Sequence, residues 1–243
     1  MRKVFWTELW YFLLLLMAGF VLVAFLSLGV SIISPQLINS VYYYHIIQWL
    51  QTIVVMVIPA YIWCKWRTED SVENVLYLHR DTNWKHYALV IVLSLLSLPL
   101  LDFLAEACRN LPIPEALKAM AEEESATQEV LLQKMLSVEG IGGWMEMILL
   151  MSVATAIGEE LTFRGALLTI FKRYTKCNKH LVAIVIGLVF SVIHMDLFGL
   201  IPRWLLGTAF VYLVYYTGSI WPSVLAHALN NLYALLQYKG IID

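Results

Sequence analysis

Apolar residues occur in seven long runs along the chain, separated by shorter polar stretches. A hydrocarbon core of about 30 Å requires about 20 apolar residues per helical span. The pattern predicts spans at 9–33, 46–64, 87–104, 144–171, 181–197, 200–216 and 219–237. The first run is too long for the core of a cleaved signal peptide, so we expect it to remain as a helix. The predicted fold class is all-α, a polytopic membrane bundle of seven helices, with eight as the alternative count.

The connection between the third and fourth runs is much longer than the others. Residues 105–143 contain the sequence LPIP at 111–114 and three successive glutamates at 122–124. Apolar residues between 117 and 138 recur at helical spacing, which predicts an amphipathic helix on the membrane surface. Such a helix is either a solvated linker or a lid over the membrane domain. The chain is thus predicted to form one integral membrane domain, 1–243, with an N-terminal region of three spans (residues 1–104), the connection 105–143 and a motif-bearing core 144–237.

Basic residues favour one side of the predicted bundle. Cytoplasmic loops are enriched in Lys and Arg, and aromatic residues gather at the membrane borders. Ten of the 16 lysines and arginines share a side if the N-terminus is cytoplasmic, and several tryptophans lie at the same borders. The sequence therefore predicts an N-terminus inside and a C-terminus outside. The ten residues are Arg2, Lys3, Lys65, Arg67, Arg80, Lys85, Lys172, Arg173, Lys176 and Lys179.

The composition excludes several classes of protein. Hydrophobic residues make up 60% of the chain and charged residues only 14%, which does not fit an ordinary water-soluble domain. The formal net charge of -2 leaves no basic excess to neutralise a phosphate backbone. We therefore expect the lipid bilayer, and no nucleic acid, among the partners. The distant cysteines Cys64, Cys108 and Cys177 encode neither a disulfide framework nor a zinc knuckle.

Two adjacent glutamates and an arginine stand out in the fourth predicted span. A charged side chain at bilayer depth costs on the order of 3 kcal/mol, so such residues are candidates for function. Glu160 and Arg164 are four residues apart on one helix face, which predicts an intrahelical ion pair. Glu159 is rotated by roughly 140° from Arg164 and is expected to lack that partner. An acid beside a like charge in a low dielectric is suited to proton transfer. The alternative is an ion-pair cluster that only holds helices together.

Two histidines and an asparagine complete the polar set in the late spans. Phe190 and His194 are four residues apart in the fifth span, and His227 and Asn231 are four apart in the seventh. A single histidine within a membrane is often only a hydrogen-bonded packing group. Measured by the helix rise, Glu159 and the three polar residues of these pairs lie between about 11 and 20 Å from the predicted cytoplasmic ends. We therefore expect them to meet in one catalytic cavity.

The common motifs of intramembrane cleavage by serine, aspartate or zinc do not occur in the sequence. The chemistry that remains is water activated by a carboxylate. Glu159, assisted by His194, would take a proton from the water that attacks a peptide carbonyl. His227 and Asn231 would donate hydrogen bonds to the developing oxyanion. We expect no cofactor, and the alternative is a zinc ion bound by Glu159, His194 and His227.

The order of these motifs resembles that of one protease family. EExxxR at 159–164, FxxxH at 190–194 and HxxxN at 227–231 are similar to the motifs of the CAAX prenyl protease and bacteriocin-processing family, also called the Abi family. The resemblance covers about 144–237. It implies a polytopic helical bundle with a four-helix catalytic core and a glutamate-dependent intramembrane endopeptidase activity.

The resemblance also implies a role for each matching residue. Glu159 would be the general base, His194 its partner in handling water, and His227 with Asn231 the oxyanion hole. The remaining motif residues would give structural support, namely Glu160, Arg164 and Phe190.

A compact chain with short loops looks bacterial within that family. The expected setting is a bacterial inner membrane, and the expected substrate is a membrane-associated peptide or protein, in peptide maturation or bacteriocin immunity. One rival is a non-catalytic immunity or binding protein that holds a peptide or lipid in the polar cavity. Another is a proton-coupled transporter, which would also use intramembrane Glu and His but is typically built from repeats that the sequence does not contain.

Overall fold

Helices form nearly all of the structure. The computed structural model describes residues 2–79 and 83–242, and within these two ranges the chain forms eight long helices and no strand. Arg80 of the predicted cytoplasmic set lies outside the described residues, as does the side chain of Arg2. The helices are α1 (Arg2–Ile33), α2 (Val41–Arg67), α3 (Trp84–Arg109), α4 (Glu115–Met135), α5 (Gly140–Tyr174), α6 (Lys179–Val192), α7 (Leu200–Thr217) and α8 (Trp221–Tyr238).

Each of the seven predicted spans falls on one of these helices. Within the described ranges, four helices are long and apolar enough to cross a membrane by length and composition, namely α1, α2, α3 and α5. The all-helical membrane fold is thus confirmed, whereas the count of seven or eight spans stays a prediction. α4 lies in the long connection, which is shorter than predicted because α3 continues to Arg109 and α5 begins at Gly140.

The prediction of a span at 181–197 is wrong at its C-terminal end. α6 ends at Val192, and Met195 has a left-handed backbone with φ of 54°, which a right-handed helix cannot contain. The His194 amide donates to the Ser191 carbonyl at 3.2 Å, as in a tight turn. His194 therefore lies in a loop formed by residues 193–199, one turn beyond Phe190.

Local capping sets the helix ends in the second half of the chain. The Asn178 side chain accepts a hydrogen bond of 2.9 Å from the His180 amide and so begins α6. Gly218 takes a left-handed backbone with φ of 71° and ends α7. Pro222 lies in the first turn of α8, where its missing N–H has no cost. α7 and α8 are consequently joined by a short turn.

The outward faces of the long helices are apolar. Phe25 on α1 is 67% exposed and Leu96 on α3 is 71% exposed. Contiguous apolar surface of this kind fits acyl chains of a bilayer and not water. The buried core lies instead between α1, α2 and α5, where Phe12, Trp63 and Leu168 are almost fully enclosed. The chain is therefore an integral membrane protein.

Polar contacts join helix ends at both ends of the bundle. At the end that carries most of the basic residues, Arg67 of α2 holds Glu8 of α1 through two hydrogen bonds of 2.6 and 3.1 Å. At the opposite end, a ring nitrogen of buried His45 lies 2.9 Å from the Met135 carbonyl oxygen. This second contact fixes the C-terminal end of α4 against α2.

α6 and α7 cross at two glycines. A Cβ atom at Gly207 would lie 3.0 Å from the Cα of Gly187, and a Cβ at Gly187 would overlap the backbone nitrogen and hydroxyl of Thr208. Small residues let helix backbones approach closely within a membrane. The crossing brings α7 close enough for its carbonyl groups to reach the site described below.

We expect Gly187→Ala to lower the free energy of unfolding by about 1–3 kcal/mol, because the added methyl must push α6 away from α7. Gly29→Ala is the matched control, since a Cβ there would meet no atom within 4 Å. Unfolding in detergent can be followed through reaction of the buried Cys64 thiol with a dye on heating. Equal unfolding temperatures for the two variants would contradict the tight crossing.

Candidate active site

A buried ion pair lies where α5, α6 and α7 meet. Arg164 Nη1 donates to Glu160 Oε1 at 2.9 Å, and both side chains are 0% exposed. Arg164 Nη2 donates to the Gly207 carbonyl oxygen at 2.9 Å, and the guanidinium carbon lies 4.5 Å from the centre of the Phe190 ring. The structure thus contains an intrahelical pair between these residues, and the arginine also connects α5 to α6 and α7.

Glu159 faces two histidines that come from other segments of the chain. Its Oε2 atom lies 3.5 Å from His227 Nε2 on α8 and 3.9 Å from His194 Nε2 in the loop after α6. Among the described residues this buried oxygen has no hydrogen-bond partner. Burial of an unsatisfied carboxylate oxygen is costly. An unsatisfied buried oxygen of this kind is typical of a site that binds a water molecule or a ligand.

The tautomer of His194 follows from its backbone contact. Nδ1 lies 2.6 Å from the Phe190 carbonyl oxygen, and a carbonyl oxygen can only accept, so Nδ1 carries the proton. In the neutral ring, Nε2 is then an acceptor and points toward Glu159. With 29% of its side chain exposed, His194 is more accessible than Glu159 or His227.

His227 is held between the two glutamates. Its Nδ1 lies 2.9 Å from Glu160 Oε1. Because Glu160 is paired with Arg164, its carboxylate accepts and Nδ1 donates. The imidazole ring also stacks on Phe210, with 5.2 Å between centroids and 27° between planes. The ion pair therefore orients His227 so that Nε2 faces Glu159.

When both rings are neutral and Glu159 is ionised, Glu159 Oε2 and the Nε2 atoms of His194 and His227 are consequently all hydrogen-bond acceptors. Acceptors in contact repel each other unless a hydrogen donor joins them. Atoms 3.5 to 3.9 Å apart are close enough for one water molecule to donate to two of them, since each bond would be about 2.8 Å. The arrangement of Glu159, His194 and His227 is thus suited to a water molecule or a shared proton.

Asn231 lies on α8 one turn beyond His227, but its amide is turned elsewhere. Nδ2 is 3.5 Å from the Met151 carbonyl oxygen on α5. Met151 precedes Glu159 by eight residues, which is about 12 Å along the helix. The side chain would have to rotate to contribute to chemistry at Glu159.

The helix that carries both glutamates is irregular on each side of them. α5 widens into π-helical turns at Leu149–Ala154 and Leu161–Leu167, around the regular segment Thr155–Glu160. Short π-helical segments occur frequently at functional sites. Ser152, in the first of these turns, donates to the Ala228 carbonyl oxygen at 2.6 Å. Since Ala228 follows His227 directly, this bond holds α5 and α8 together beside the Glu159–His227 contact.

The zinc alternative would use Glu159, His194 and His227 as ligands. Over the described residues, no group of three or more His, Cys, Asp or Glu side chains is arranged to hold a metal ion. That the chain needs no cofactor stays a prediction.

Sequence reasoning did not single out the residues of α7 that touch the site. Phe210 stacks on His227, and the Gly207 carbonyl accepts from Arg164. An apolar residue in an apolar span carries no signal of this kind. Arg203 could have been singled out, because it is a charged residue inside the predicted span 200–216.

Apolar helices around a buried cluster of Glu, Arg and His define a membrane protein with an ionisable internal site. Residues 142–233 match the family model described as Type II CAAX prenyl endopeptidase Rce1-like. All seven residues singled out from the sequence motifs lie inside this match, and the resemblance to that protease family is confirmed. The motif-bearing region of the chain is therefore similar to this family of CAAX prenyl endopeptidases. No curated protein and no solved structure matches the chain.

Proposed function

We propose that this chain is an intramembrane endopeptidase that hydrolyses a peptide bond of a membrane-associated peptide or protein with water activated by Glu159 and His194. The observation that supports this most is the meeting of Glu159, His194 and His227 around one buried carboxylate oxygen. These side chains come from three separate segments of the fold. The family match over residues 142–233 supports the same class of reaction.

Water is the nucleophile in this proposal. Its oxygen attacks the peptide carbonyl carbon while Glu159 takes one proton and His194 Nε2 accepts a hydrogen bond from the other O–H. The carbonyl π electrons move onto its oxygen and form an oxyanion. The oxyanion electrons then re-form the carbonyl, the proton on Glu159 passes to the amide nitrogen and the C–N bond breaks, which leaves a carboxylic acid and an amine. The acid proton, already hydrogen-bonded to His194 Nε2, passes to that atom and leaves a carboxylate.

His227 would serve the oxyanion in its doubly protonated form. Nδ1 donates to Glu160, so a second proton on Nε2 is required before that atom can donate. The carboxylate of Glu160 stabilises the positive charge of the ring. Asn231 would provide a further donor after its amide rotates from Met151 toward the reaction site. In this scheme Glu160 both pairs with Arg164 and holds the His227 ring.

The proposed setting is a bacterial inner membrane with the N-terminus in the cytoplasm. The distribution of Lys and Arg supports that orientation. The polar site lies among helices whose outer faces are apolar, so we infer that the substrate is itself membrane-associated. The chemistry is assigned to protein side chains, and loss of cleavage on chelation of metal would favour the zinc alternative instead.

We expect His194→Ala to lower cleavage by about 10²–10⁴-fold, because the water loses one of its two positioning acceptors. Peptides in membranes of cells that express the wild type or the variant can be compared by mass spectrometry to find those that fail to mature. The cleavage is then repeated with purified protein in detergent, together with a farnesylated CAAX peptide as a probe.

The matched control is His180→Ala. His180 lies at the start of α6, where its ring contacts the Tyr212 hydroxyl and not the site. Retention of full biological function by His194→Ala would instead support a non-catalytic protein that uses the polar cluster to bind a peptide or lipid.

A further inference from the structure

His194 lies in a loop and not in a helix, so its position depends on how that loop is held. α6 ends at Val192 and α7 begins at Leu200. The side chain of His194 is bonded to its own turn through the Phe190 carbonyl, and the next residue, Met195, has the left-handed φ of 54°. A loop of this shape needs a contact that fixes its far end.

Asp196 provides such a contact with both oxygens of one carboxylate. Oδ1 accepts hydrogen bonds of 3.1 and 3.0 Å from the backbone amides of Phe198 and Gly199. Oδ2 accepts one of 3.0 Å from Nη2 of Arg203, in the first turn of α7. The carboxylate therefore closes the loop on itself and ties it to α7.

The surroundings of this pair make it more than a solvated surface contact. The side chains of Asp196 and Arg203 are only 24% and 27% exposed. Nη1 of Arg203 is buried and has no hydrogen-bond partner in the ranges that the structure describes. Phe198 is buried, and the guanidinium of Arg109 lies 5.0 Å from the centre of its ring. Two cavities of about 230 and 460 Å³ share Arg109, Asp196 and Phe198 in their walls.

The two ends of the loop are thus anchored by different means. Next to α6, the buried Ser191 hydroxyl donates to the Leu200 carbonyl oxygen at 2.6 Å. Next to α7, Asp196 and Arg203 form the charged contact. His194 lies between these anchors with Nε2 3.9 Å from Glu159. A shift of about 1 Å in a catalytic group can cost a hundredfold in rate.

We propose that Asp196 and Arg203 are positioning residues that hold the 193–199 loop so that His194 Nε2 faces Glu159. The proposal rests on the proposed function of His194. It assigns no contact with substrate to either residue. The carboxylate of Asp196 acts through the loop backbone, and Arg203 acts by holding that carboxylate.

The test combines cleavage kinetics with backbone hydrogen exchange in the purified, detergent-solubilised protein. In Asp196→Ala we expect the Phe198 and Gly199 amides to exchange at least tenfold faster, while those of α8 keep their wild-type rates. We expect kcat to fall about ten- to a hundredfold with little change in KM, since binding groups are left in place. Arg203→Lys should retain more activity than Arg203→Ala because it keeps the positive charge.

Asp102→Ala is the matched control. Asp102 lines the smaller of the two cavities but accepts a hydrogen bond from the Tyr233 hydroxyl, and within the described ranges no hydrogen bond joins it to the loop. Unchanged loop exchange in Asp196→Ala would overturn the proposal, as would faster exchange with an unchanged kcat. If the wild type cleaves no substrate, the proposed function fails, and hydrogen exchange alone then decides whether Asp196 holds the loop.

Discussion

Glu159→Gln is expected to lower kcat by about a thousandfold or more while the protein still folds and accumulates in the membrane. Glutamine has nearly the same size as glutamate but cannot take a proton from water at neutral pH. Little folding energy should be lost, because the Oε2 atom of Glu159 has no hydrogen-bond partner in the described ranges. Cleavage of the peptide identified from membranes, measured with purified protein, checks the expectation.

Glu139→Gln controls for the loss of one acidic residue next to the same helix. Glu139 is exposed and directly precedes α5, far along the helix from the site. The Glu139→Gln variant should cleave at the wild-type rate. A Glu159→Gln protein that cleaved as fast as this control would remove Glu159 from the mechanism.

Arg164→Ala is expected to lower the free energy of unfolding by about 3–5 kcal/mol, the largest effect on stability that we predict. The substitution leaves the fully buried Glu160 carboxylate without its cation, and a buried unpaired charge is strongly destabilising. It also removes the donor to the Gly207 carbonyl oxygen. Folded yield and thermal unfolding in detergent measure the loss.

The double variant Glu160→Leu/Arg164→Met separates stability from activity. Apolar side chains of similar size can replace a buried ion pair with little loss of stability, so we expect the protein to fold much better than Arg164→Ala. Activity should still be low, because Nδ1 of His227 loses the carboxylate that orients it. A double variant with wild-type activity would show that Glu160 has no role in holding His227.

Much of the fold could be predicted from the sequence because the bilayer restricts the choice of structure. Backbone groups in lipid must be satisfied within helices or closed barrels, so long apolar runs identify helices directly. The ends of the helices could not all be predicted in this way. α6 stops at Val192 where apolar residues continue, since a left-handed residue and an aspartate-capped loop follow, and hydropathy does not detect either.

The predicted site residues could be found because charge is rare in apolar spans. Spacing of four residues also indicated the Glu160–Arg164 contact, which depends only on one helix. Contacts between helices were not accessible in this way. The contact of His227 with Glu160 and the turning of Asn231 toward Met151 depend on how α5 and α8 pack, and no local pattern encodes that packing.

A single-turnover cleavage in ¹⁸O-labelled water tests the central claim most directly, because it follows the attacking oxygen. If Glu159 activates water held beside His194 and His227, the new carboxyl terminus of the product carries one ¹⁸O atom after the first turnover. Glu159 itself stays unlabelled. An unlabelled product together with ¹⁸O in the Glu159 side chain would show that this carboxylate attacks the peptide itself, and would contradict the account.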